Sequence, residues 1–127
     1  MGEITEKRDP DSGGTIFAKI IRKEIPAAIV FENDKVLAFK DINPQAPVHV
    51  LIIPKDTEIP TVKDLSSAKH SELLGAMIDA ANQIAKDFNV SEDGFRLVMN
   101  CGANAGQEVY HLHMHLLAGR PMNWPPG

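Results

Sequence analysis

A chain of 127 residues, 43% of them hydrophobic, has the size and composition of one globular domain with one core. A formal charge of −4 and a pI near 5.7 exclude the basic footprint of a protein that grips nucleic acid by its phosphates, while a small anion held by backbone N–H groups stays possible. The single cysteine, Cys101, excludes an intramolecular disulfide and points to a reducing compartment. The first 14 residues hold no secretory pattern and no apolar run is long enough for a bilayer, so a cytoplasmic location without a membrane partner is expected.

Residues 1–14 are polar, end in Ser12-Gly13-Gly14, and are predicted to form a mobile tail ahead of a domain over 15–127. Thr15 is placed to cap a short helix, with Ile16, Phe17, Ile20 and Ile21 on one stripe and Pro26 as its stop. Strands follow at Ile29–Glu32 and Val36–Lys40, joined by an Asn33-Asp34 turn. Two prolines fix the loop from Asp41 to Pro47. His49–Ile53 is a run of strong strand formers stopped by Pro54. Leu73, Leu74, Met77, Ile78, Ala81, Ile84, Ala85 and Phe88 recur at helical spacing over about residues 68–88, with Ser66 or Ser67 to cap the helix and Asn89 to end it. A strand over Phe95–Asn100, a loop with Gly102 and Gly106, and a last strand over Val109–Ala118 complete the chain. This order predicts an α+β fold, an antiparallel sheet covered on one face by the long helix.

The chemistry concentrates in the last strand. His111, His113 and His115 alternate with Leu112, Met114 and Leu116, and alternate residues of a strand share a face. Three imidazoles are thus expected on one face, with the apolar residues turned into the core. One reading is three half-exposed histidines without a role. A second is a metal site, but residues i and i+4 of a strand lie about 13 Å apart, against metal–nitrogen bonds of about 2 Å. One ion on all three is therefore disfavoured, although two of them chelate more easily. A third is nucleophilic and acid–base chemistry: neutral imidazole is abundant near pH 7 and carries one nitrogen with a lone pair able to attack phosphorus. Glycines 102 and 106, just upstream, let backbone N–H groups turn toward an anion.

The run His111-Leu112-His113-Met114-His115-Leu116-Leu117 resembles the motif of the histidine-triad (HIT) superfamily, and the chain is most similar to its Hint branch of nucleotide-binding proteins. Other matching stretches are Thr15 to Pro26, Phe39 to His49, Gly106 to His111 and Trp124 to Gly127, so the likeness spans nearly everything from Thr15 onward. It implies a five-stranded antiparallel sheet with one long and one short helix, joined across a homodimer. It implies hydrolysis of purine nucleoside phosphoramidates to a nucleoside monophosphate and an amine, through a nucleotidyl-histidine and with no metal or other cofactor.

Residue by residue, the resemblance makes His113 the nucleophile, His111 a residue that orients the site, and His115 and His49 contacts to the phosphate. It gives Asp41 the ribose hydroxyls, Asn100 a polar contact near ribose and phosphate, and Gly106, Gln107 and Glu108 the loop around the phosphate. It assigns Phe17, Ile20, Ile25, Phe39 and Ile42 to an apolar slot for the base. Taken alone, these five are more often plain core, and His49 a satisfied core histidine. His70 matches no motif, and Cys101 reads as a small half-buried residue. Glu108 stands where animal-type members have a serine that helps protonate the leaving amine. Bacterial-type members resemble this chain there, whereas Trp124-Pro125-Pro126-Gly127 resembles the animal type. Two alternatives remain: a dinucleoside polyphosphate hydrolase, whose branch is marked by glutamine in place of the third histidine so that His115 argues against it, and a nucleotide-binding or partner-binding regulatory protein with weak catalysis.

Overall fold

The computed structural model describes residues 14–127, and before them only the backbone pairing of Arg8–Asp9. The predicted tail over 1–14 thus lies mostly outside the described residues. Strand β1 (Arg8–Asp9) pairs antiparallel with β2 (Gly14–Thr15). Then come α1 (Ile16–Ile21), β3 (Ile29–Glu32), β4 (Val36–Lys40), β5 (Val48–Pro54), α2 (Ser67–Asp87), β6 (Phe95–Val98) and β7 (Met114–Ala118). Strands β3 to β7 form one antiparallel sheet in the order β3-β4-β5-β7-β6.

Both helices begin and end by the same devices. The Thr15 hydroxyl accepts from the Ala18 amide, and the Ser66 hydroxyl from the Lys69 amide. At the far ends, Lys23 and Asn89 adopt φ of +62° and +59°. The amides of Lys23 and Glu24 bond back to the carbonyls of Ile20 and Lys19, as those of Asn89 and Val90 do to Lys86 and Ala85. That is a Schellman closure, which satisfies the last carbonyls. It stops α1 at Ile21, well before Pro26, and corrects the sequence-based boundary. Ile16, predicted on the apolar stripe, is 45% exposed.

The alternation along the strands sorts the core into two layers. Val36, Ala38, Val50, Ile52, Met114, Leu116 and Ala118 face α2 and pack on Met77, Ala80, Ala81, Ile84 and Ala85. Leu37, Phe39, Leu51 and Ile53 face the other way and pack on Phe17 and Ile20 of α1. Each of the larger side chains contributes about 1.5–3 kcal/mol on burial. Ile78, predicted on the inner stripe of α2, is exposed, whereas Ala80 takes an inner position.

The last strand is shorter than predicted. In the β5–β7 register Ile52 faces Met114, so Pro54 falls opposite Leu112. Proline has no N–H to extend the ladder, and the Leu112 amide bonds instead to the Ile59 carbonyl. His111 and His113 therefore precede the ladder, and only His115 lies within β7. Leu112, Met114 and Leu116 nevertheless all enter the α2-side core. Strand β6 likewise ends at Val98, its last partner being His115.

Candidate active site

The site forms on the sheet face that α2 does not cover. In the β5–β7 register Leu51 faces His115 and Leu117 faces His49, so these two histidines are diagonal neighbours on one face. Their rings lie 5.2 Å apart, with His49 Nε2 2.9 Å from His115 Nδ1. The His113 ring stands 5.2 Å from that of His115 and 5.1 Å from that of Phe17 in α1. His111 and His113 are buried, at 1% and 8% exposure, and so is His49.

Hydrogen bonds fix where each neutral ring carries its proton. His111 donates from Nε2 to the Pro54 carbonyl at 2.8 Å. His113 donates from Nδ1 to the His111 carbonyl, also at 2.8 Å, which leaves Nε2 as its lone-pair nitrogen. The Gln45 amide donates to His49 Nδ1 at 3.0 Å, so the His49 proton sits on Nε2 and is donated to His115 Nδ1. The His115 proton is then on its own Nε2. Asp41 Oδ2 approaches His49 Nε2 at 3.4 Å, while Asp41 Oδ1 accepts from the Asn43 amide.

Burial dominates the titration of all four rings, because a charged imidazole loses its hydration there. It lowers the pKa of His111 and His113 despite the carbonyls that their N–H groups meet. It lowers that of His49 despite the Asp41 carboxylate. It lowers His115 to about 4, reinforced by His113 and His49 nearby. Near pH 7 the group is a set of neutral imidazoles.

The rings open into a cleft of about 530 Å³. Its lining is part apolar, with Phe17, Ile20, Ile25 and Phe39, and part polar, with Asp41, Asn100, Glu108, His49, His113 and His115. Gly106 lines it too, at φ +85°, a backbone conformation that side chains disfavour. Ile42 is on the rim and 99% exposed. Gln107 and His111 stand behind the wall. The Gln107 amide joins the Gly102 N–H to the carbonyls of Pro60 and Val109, and so braces the glycine loop from inside.

Sequence reasoning missed Gln45, whose main-chain N–H sets the His49 tautomer, together with Leu51 and Val109 in the walls. A backbone donor leaves no side-chain signature, and the only available signal was the proline-fixed loop around it. Sequence reasoning also missed a possible ligand set. Asp41, His49 and His115 each bring one ligand atom within 4.8 Å of the others. The i, i+4 distance argument concerned only histidines of one strand, whereas the sheet brings β4, β5 and β7 together.

The HIT domain pattern matches residues 22–122 of the chain. A purine nucleoside phosphoramidase of Escherichia coli (strain K12) is 58% identical over 108 residues, which cover 85% of this chain and 89% of that protein. Adenylylsulfatase HINT1 of Arabidopsis thaliana is 51% identical over 118 residues, covering 93% and 80% respectively. Among solved structures, a HIT family hydrolase from Legionella pneumophila Philadelphia 1 superposes with a TM-score of 0.85 at 52% identity, covering 88% of this chain and 98% of that one.

Proposed function

The chain belongs to the HIT domain family, and from that premise we propose that it hydrolyses purine nucleoside phosphoramidates to a nucleoside monophosphate and an amine. The observation that carries this reading is the bond from His113 Nδ1 to the His111 carbonyl, which leaves a neutral ring with an unprotonated Nε2 in a cleft-lining residue. That nitrogen attacks the α-phosphorus, the P–N bond breaks, and the amine departs with a proton taken from solvent in the cleft, which the attacking water of the second step gives back. Water then cleaves the nucleotidyl-imidazole, releasing the monophosphate and regenerating His113. His115 donates its Nε2–H to a phosphoryl oxygen, and His49 beside it gives its own N–H to His115 Nδ1 and so holds that tautomer. Asp41 accepts from the ribose hydroxyls, Asn100 meets the nucleotide beside them, and the apolar residues of the cleft take the base. Gly106 and Glu108 border the phosphate, with Gln107 bracing their loop. The names of the Escherichia coli and Arabidopsis relatives support a nucleotide substrate.

Incubation of the purified protein with an adenosine phosphoramidate tests this. Release of adenosine monophosphate and amine is expected; binding without turnover favours a regulatory nucleotide-binding protein instead. The Asp41–His49–His115 cluster favours one second reading, a hydrolysis assisted by a divalent metal. Turnover that survives EDTA is the expected result, and turnover lost in EDTA and restored by zinc would establish the metal reading. The protein is also proposed to act as a cytoplasmic homodimer whose sheets join. The outer strands β3 and β6 offer free edges, and Trp124 is 81% exposed. Light scattering at micromolar concentration is expected to give twice the chain mass, and a monomer contradicts the proposal.

A further inference from the structure

The His49 tautomer depends on one main-chain donor, and that donor sits in a loop held from outside the cleft. Arg120, in the turn after β7, donates from Nη2 to the Gln45 carbonyl at 3.0 Å. The Gln45 amide in turn donates to His49 Nδ1, and His49 Nε2 meets His115 Nδ1. Arg120 also donates from Nη1 to the carbonyl of Pro121, which steadies the guanidinium over its own turn. A second contact joins the same two segments: a Cβ at Gly119 would stand 2.8 Å from Pro47 Cβ. Gly119 also has φ +95°, so the turn approaches the 41–47 loop as only glycine permits. Arg120 is exposed and is not among the residues that line the cleft.

We propose that Arg120 is a positioning residue for the site: by holding the Gln45 carbonyl it fixes the backbone of Gln45, keeps the N–H of that residue, in the preceding peptide unit, on His49 Nδ1, and so fixes the tautomers of both His49 and His115. Free of the clamp, the backbone at Gln45 relaxes about its φ and ψ, Nδ1 loses its donor, and His49 samples both neutral tautomers. With the proton on Nδ1, His49 has no N–H to offer His115 Nδ1. His115 then loses the partner that keeps its own proton on Nε2. The guanidinium is suited to this task because its planar fork addresses two carbonyls at once, here those of Gln45 and Pro121. The catalytic consequence rests on the phosphoramidase reading; the tautomeric one does not.

The test uses the full chain and its Arg120→Ala and Arg120→Lys variants. Long-range proton–nitrogen correlation spectra of the resting protein distinguish protonated from unprotonated ring nitrogens. The parent is expected to show His49 with Nδ1 bare and Nε2 protonated. Arg120→Ala should average the two His49 nitrogens, and Arg120→Lys, which keeps a cationic donor without the planar fork, should restore the parent pattern in part. On an adenosine phosphoramidate, kcat of Arg120→Ala should fall on the order of tenfold with KM within about twofold, the loss of one charge-assisted hydrogen bond expressed in the transition state. A folded Arg120→Ala with unaltered His49 nitrogens overturns the proposal whatever its activity. Averaged nitrogens with unchanged kcat overturn its catalytic half. Because the spectra need no substrate, they decide the positioning role even if the parent protein proves to have no phosphoramidase activity.

Discussion

The two faces of the central sheet carry the same strands and opposite chemistry. Toward α2, β5 and β7 present Val50, Ile52, Met114, Leu116 and Ala118, sealed against alanines, Ile84 and Met77 of the helix. Toward α1, the same strands present His49 and His115, with His113 just ahead of β7, and the six residues of α1 are too few to cover them. The long helix makes one face a dry core, and the short one leaves the other open as a cleft. The difference teaches that the site histidines take the strand face that the long helix leaves uncovered, while loops supply Asp41, Asn100, Gly106 and Glu108. Burial still reaches those positions: it holds the imidazoles neutral without removing them from the cleft wall.

The sharpest way to break this comparison is at His113. His113→Ala is expected to lower phosphoramidate turnover on the order of 10⁴-fold or more, since it removes the proposed nucleophile. Binding of adenosine monophosphate, read by calorimetry, should persist; normal turnover would remove His113 from its assigned role. On the opposite face, Ile52→Ala leaves a cavity beneath α2 and should cost about 2–5 kcal/mol of stability in denaturant unfolding. The kcat of the variant that remains folded should stay near the parent value. An Ile52→Ala protein of full stability but low activity would show that the two faces are not separable in this way.

The acid response sharpens the comparison further, because only one face titrates. All four site histidines have lowered pKa values when folded, so between the unfolded value of 6.5 and their folded values the unfolded chain binds more protons. Their contribution to stability is complete above about pH 6.5 and is lost as the pH falls toward 4, where His115 takes up its proton. The melting temperature should therefore fall over that window, and His115→Gln should fall less steeply than the parent. Parallel curves would show that His115 is not buried as a neutral ring. The smallest effect is expected at Glu108, at the edge of the cleft. A carboxylate beside a phosphate is unfavourable unless a positive group is near. Glu108→Gln should therefore change the ratio of kcat/KM between cationic and neutral leaving amines by a few-fold, with a smaller change in monophosphate affinity. An unchanged ratio would make Glu108 part of the loop scaffold only.

Much of this contrast was legible in the sequence because it rests on period and punctuation. The spacing of Met77, Ala81, Ile84 and Ala85 placed α2 to within a residue at each end, and Asn33, whose side chain accepts the amides of Lys35 and Val36, marked the β3–β4 turn. The alternation of histidine with Leu112, Met114 and Leu116 placed those apolar residues in the core even where the ladder fails. What escaped depended on partners across the sheet or on main-chain groups. The end of β7 is set by Pro54 across the sheet, and the end of α1 by a backbone closure that Lys23 makes without glycine. The approach of Asp41 and His49 to His115 exists only once β4, β5 and β7 are side by side, and the Gln45 amide, four residues before His49, is a main-chain donor with no side-chain mark. Main-chain donors and inter-strand clusters have no local sequence pattern to announce them.

The central claim, attack by a neutral His113 on phosphorus, is tested most directly by the stereochemical course of hydrolysis at a phosphorus made chiral with sulfur and isotopic oxygen. Two successive in-line displacements, first by the imidazole and then by water, invert the centre twice. The account therefore requires net retention in the released nucleotide, and net inversion, the mark of direct attack by water, would contradict it.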